Sequence, residues 1–164
     1  MTDEPQSIEV VPGIHLRLLP GRSRETIASI IENAEIFDMT KIRERYMRDH
    51  DLAADIAEMQ ERELKRYLAI CAVFDEPIGM RGDVDQFWHT FILFTREYLA
   101  FCYQVAGEGN FIHHTPNVAR GSPNSDLRDQ PDEPSEPPLD YLTFWLAYSY
   151  LFQQPPNPAA WPQL

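Results

Sequence analysis

Between Val84 and Ala106 the chain runs VDQFWHTFILFTREYLAFCYQVA, with neither glycine nor proline. Val84, Phe87, Trp88, Phe91, Phe94, Tyr98, Phe101, Cys102 and Val105 recur there at spacings of three and four, the period of an α-helix. Ile92, Leu93, Leu99 and Ala100 carry apolar character onto the other sides. The pattern predicts one helix over 84–106, covered by neighbours on several faces. Such a helix needs partner surfaces, and the rest of the chain supplies them as further helices. Ser23 stands as an N-cap ahead of Ile27, Ile30, Ile31 and Ala34. Thr40 is placed to cap a short helix through KIRERYM. Asp51 is placed to cap a longer one, in which Leu52, Ile56, Met59, Leu64, Tyr67, Leu68 and Cys71 mark one face until Pro77 forbids continuation. Asp83 is placed to cap the central helix. Near the end, LDYLTFWLAYSYLFQQ predicts a last helix with Leu142, Trp145, Leu146, Ser149 and Phe152 on one side.

The expected fold is therefore all-α. It is a single domain over 1–164, with helices 23–37, 52–75 and 139–153 around the central 84–106 helix. Residues 1–22, interrupted by Pro12 and Gly13 and closed by Pro20 and Gly21, suit an extended arm or a hairpin. Residues 115–138, TPNVARGSPNSDLRDQPDEPSEPP, read as an acidic proline-rich loop. The prolines of the tail keep it extended, with Trp161 as its anchor.

At 164 residues with 43% apolar side chains, the chain is long enough to enclose a core. Its 26 acidic and 14 basic residues give a net charge of -12, which repels nucleic-acid phosphates and anionic lipid and suits contact with a basic protein partner. The start has no leader pattern, and no stretch is long and apolar enough to span a bilayer, so a cytoplasmic protein is expected. Cys71 and Cys102 lie inside apolar helical patterns and read as reduced core thiols.

Chemistry concentrates at Asp85 and His89. Four residues apart on a helix, they lie about 6 Å apart on one flank of the apolar stripe. That geometry serves two purposes equally: a carboxylate orienting an imidazole as a structural pair, or two ligands of one ion. His113 and His114 follow the glycine turn. Extended chain could carry one of them back to the level of His89, and alternation lets only one face the helix. A metal site would then draw on Asp85, His89 and His113 or His114, with a divalent ion such as zinc or iron, and a further ligand from Glu58, Glu61 or Glu63. Cys102 falls outside that set, because an unbroken helix would separate it from His89 by about 20 Å. Trp88 and Tyr98 admit a pocket for a small apolar ligand. Glycine-rich phosphate loops, nucleophile elbows and paired-cysteine zinc motifs are absent from the sequence.

The string D-x-x-W-H-x-F-I-L-x-T-x-x-Y-x-x-F-C from Asp85 to Cys102 is followed by G-x-F-I-H-H-x-P from Gly109 to Pro116 and by a late P-x-x-W-P. Together with ELKRYLAI upstream, these resemble the glycine-rich domain-containing protein-like family, in the short bacterial form that lacks a glycine-rich tail. The resemblance covers residues 61–162 and is strongest from Asp85 to Pro116. It implies a helical domain and picks out Asp85, Trp88, His89, Tyr98, Cys102 and His113. Where that family often carries W-H-x-H, this chain has Phe91, so a second helical histidine is missing. No reaction comes with the resemblance. The leading functional expectation is an accessory or protein-interaction domain in which Asp85 and His89 form a structural pair. The alternative is a metal-binding protein or metalloenzyme.

Overall fold

The computed structural model describes residues 6–114 and 138–164. The expected acidic proline-rich loop falls almost wholly in 115–137, outside the described residues. The chain forms a hairpin of β1 (Ser7–Val11) and β2 (Ile14–Arg17). Six helices follow: α1 (Arg24–Ile36), α2 (Thr40–His50), α3 (Ala54–Val73), α4 (Val84–Leu93), α5 (Thr95–Ala106) and α6 (Leu139–Phe152). The domain is dominated by α-helix, and the two-stranded hairpin is the one sheet among the described residues.

The hub is α3, not the 84–106 segment. It packs against α1, α2, α4, α5 and α6, and Ala57, Leu64, Leu68, Ala69, Ile70, Ala72 and Val73 are fully buried. Small residues on several sides allow five neighbours to approach at once. The expected single helix over 84–106 is broken at Phe94, whose ψ of 70° leaves the helical region. The break redirects the chain, so that α4 packs on α2 and α3 while α5 packs on α1 and α3. Apolar spacing continues smoothly through Phe94 and hides the bend.

Local signals explain most element ends. Ser23 accepts from the Thr26 amide, and Thr26 reciprocates to the Ser23 amide, a closed capping box. Asp38 rather than Thr40 caps α2, accepting from the Thr40 amide at 3.0 Å and its hydroxyl at 2.7 Å. Asp51 does not cap α3. It ends α2 in the left-handed conformation, φ 51°, and α3 begins at Ala54. The hairpin is fastened to the end of α3 by Leu19 N to Val73 O and Asp75 N to Arg17 O, which buries Leu16 and Leu18.

The last helix and the tail close the domain over α3. Tyr141, Phe144, Ala147 and Tyr148 form the buried face of α6, one step round from the side expected. Gly79 donates its amide to Asp140 O at 2.9 Å, and a Cβ there would lie 2.7 Å from the Tyr141 amide nitrogen. Backbone cannot yield as a side-chain tip can. Gly79→Ala is therefore expected to cost about 2 kcal/mol of stability, read as a lowered urea midpoint. An unchanged midpoint would show that the contact is soft.

Candidate functional site

A cleft of about 740 Å³ opens between the C-terminal half of α3, the 76–80 loop, the first turns of α4 and α6, and the 109–114 segment that follows α5. Its floor is aromatic. Tyr67 and Trp88 are buried with ring centroids 5.2 Å apart. Tyr67 donates to Ile78 O at 2.8 Å and fixes the loop on that side. Trp88 donates through Nε1 to the Tyr98 hydroxyl at 3.1 Å, and Tyr98 in turn donates to Ile112 O. This relay pins the returning 109–114 segment. Asn110 helps it by donating to Ala106 O at 2.9 Å, a carbonyl that Arg22 also reaches from the other side.

Pinned in this way, the segment delivers His114 to the cleft. Its Nε2 lies 2.9 Å from Asp85 Oδ1, and its ring stands edge-on to Trp88 with centroids 4.5 Å apart. The His114 side chain is 15% exposed and that of Asp85 is 50% exposed. The pair is therefore Asp85–His114, and the expected Asp85–His89 pair is not formed. Asp85 sits in the first turn of α4, where its carboxylate reaches across to a group more sheltered than His89. His89 is exposed, with its ring centroid 6.3 Å from that of His114. His113 is exposed and meets Phe111 edge-on, with ring centroids 4.7 Å apart. Both histidines border the cleft, and His114 is the one that reaches Asp85.

The candidate ligands on α3 do not join them. Glu58 is exposed, and Glu61 pairs with Arg43 at 2.8 Å. Glu63 is buried on the far side, accepting from Tyr148 and Trp161. Among the described residues, no three histidine, cysteine, aspartate or glutamate side chains converge tightly enough to hold an ion. Cys102 is buried beside Tyr98 and the Ile112 backbone, and burial pushes its thiol up.

Several cleft residues carry no motif. Cys71, expected in the core, is half-buried and lines the cleft, where burial pushes its thiol up to about 12. It is thus a neutral thiol at physiological pH and a poor nucleophile. Glu76, Met80 and Asp140 also line the wall. They come from loop and helix ends whose meeting depends on the path of the whole chain. The only hint was Gly79, a glycine beside Pro77 that marked a close approach of backbone.

The fold and the cleft together define a small helical domain with an aromatic-floored cleft. The chain belongs to the UCP032817-like family, which it matches over residues 27–129, a range that starts within α1 and includes the segment that carries His114. Helix α6 and the tail lie beyond that match. No curated protein and no solved structure matches the chain.

Proposed function

We propose that the protein binds a small organic molecule in this cleft, with Asp85–His114 as the polar anchor. The observation that carries the reading is convergence. A concavity of about 740 Å³ brings an aromatic floor and a hydrogen-bonded carboxylate–imidazole pair to one place, the composition of a ligand site rather than a packing defect. Buried relays through Tyr98 and Tyr67 hold its walls, so little ordering accompanies binding.

The test is a fragment screen by ligand-observed NMR with neutral, anionic and cationic members, on the wild type and on Met80→Trp. Met80 is half-buried on the wall, and the indole would fill the space. Expected are hits on the wild type that are lost in Met80→Trp while the melting temperature stays within a few degrees. A wild type that binds no fragment of any charge would overturn the reading.

A second reading, a protein-interaction domain, is supported by the exposed Leu99, Tyr103 and Phe111, which share a shallow hollow on the outer side of α5. On this reading a basic partner is attracted by the net charge of -12 and seated on these side chains. Capture experiments comparing the wild type with Leu99→Glu/Tyr103→Glu would decide it. Identical captured proteins would end it.

A further inference from the structure

We infer that the ligand of this cleft is an aliphatic di- or polyamine. The inference rests on the cleft being a binding site and names the class that its lining recognises. Three carboxylates face the space from three separate segments: Glu76 after α3, Asp85 on α4 and Asp140 on α6. Among the described residues, lysine and arginine are absent from the lining, and His113 and His114 are its two imidazoles. The basic groups around it are engaged: Arg17 pairs with Glu76 at 3.3 Å, Arg22 donates to the Ala72 and Ala106 carbonyls, and Arg81 lies over the Tyr141 ring at 5.3 Å. Glu76 and Asp85 each commit one oxygen, to Arg17 and to His114, and the three carboxylates still leave the lining acidic, which disfavours an anionic ligand.

The spacing then selects among cations. Among the described residues, the carboxylates do not converge with any third donor into a metal-sized cluster. A single small ion could reach one carboxylate and would leave the free oxygens of the others without a cation. A chain bearing ammonium groups several bonds apart can pair with separated carboxylates at once. Its methylenes would lie along Tyr67, Trp88 and Met80, with Phe111 at the mouth. Aromatic floors favour such ligands doubly, through contact with CH₂ groups and through attraction of the ring quadrupole for the ammonium. Asp85 keeps one oxygen on His114, leaving Oδ2 for the ligand.

Spermidine is the probe, titrated calorimetrically at physiological ionic strength so that diffuse attraction to an acidic protein is screened. Four proteins are compared: the wild type, Asp85→Asn, Asp85→Asn/Asp140→Asn, and a control, Glu25→Gln/Glu32→Gln, which removes two exposed charges from α1. Expected is saturable one-to-one binding, weakened roughly tenfold by the single change and roughly fiftyfold or more by the double change, with the control unaltered. On the wild type alone, the Trp88 indole N–H resonance should shift with spermidine and stay in place with 1,4-butanediol, a reading that does not depend on the variants folding. Equal weakening in the double variant and the control would overturn the inference, as would displacement of spermidine by stoichiometric magnesium. Neutral fragments that bind the cleft while spermidine does not would remove the amine and leave the cleft reading standing.

Discussion

Trp161→Ala is expected to lower the unfolding free energy by about 4 kcal/mol, and the melting temperature by about 12 °C. The side chain is only 1% exposed, although it sits three residues before Leu164 in a proline-rich tail. Its ring packs on Phe144 at 4.5 Å and on Tyr67 at 6.0 Å, and Nε1 donates to Glu63 Oε2 at 3.0 Å. Glu63 is 1% exposed and takes its other strong hydrogen bond from the Tyr148 hydroxyl at 2.8 Å, with Arg66 Nη1 3.8 Å away. Truncation therefore removes aromatic area and also strips a donor from a buried carboxylate, which makes the two losses reinforce each other. Trp161→Phe separates them. It keeps most of the packing, loses the donor, and should cost about 2 kcal/mol. Chemical denaturation followed by circular dichroism measures both. A loss below about 1 kcal/mol for the alanine variant would mean that the tail does not close the core.

Stability should also fall steeply in alkali. Burial pushes the phenols of Tyr46, Tyr141 and Tyr148 up to about 12 from the usual 10.0, and raises Tyr67 and Tyr98 as well. Asp83 adds to the effect at Tyr46, while Arg66 opposes it at Tyr148 and Arg81 at Tyr141. A group whose folded value lies above its unfolded value contributes stability that is fully present below the unfolded value and is lost as pH rises toward the folded one. The half-buried Cys71 thiol, raised from 9.0 to about 12, has the same sign and starts earlier. The urea midpoint should hold steady up to about pH 9 and collapse between about pH 10 and 12, with tyrosinate absorbance rising as helical dichroism disappears. A gradual, non-cooperative rise in absorbance with the dichroism intact would show that these phenols reach solvent without unfolding.

The buried face of α6 shows where sequence reading reached its limit. Apolar and aromatic residues circle that helix so completely that periodicity is a weak guide to its buried side. The spacing selected Leu142, Trp145, Leu146, Ser149 and Phe152, whereas the buried residues are Tyr141, Phe144, Ala147 and Tyr148. Tyr148 on that buried side donates to the buried Glu63. The same limit applies at Phe94. A helix that bends between two apolar stretches keeps its three-and-four spacing on both sides, and only a backbone angle records the turn. At the site, the sequence singled out Asp85 with His89 as its partner and held His113 and His114 as alternatives. It could not choose between those two, because the Tyr98 to Ile112 bond sets the register of the returning segment.

What the sequence by itself determined was local: an all-α domain, the Ser23 cap, the hairpin punctuation and the buried Trp161. These follow from the period of apolar residues and from backbone preferences, which act over a few neighbours. Only the tertiary structure decided that α3 is the hub, that Asp85 meets His114, and that Cys71, Glu76 and Asp140 share one cleft. Such meetings depend on the summed geometry of every turn between the partners, and no short-range pattern encodes that sum.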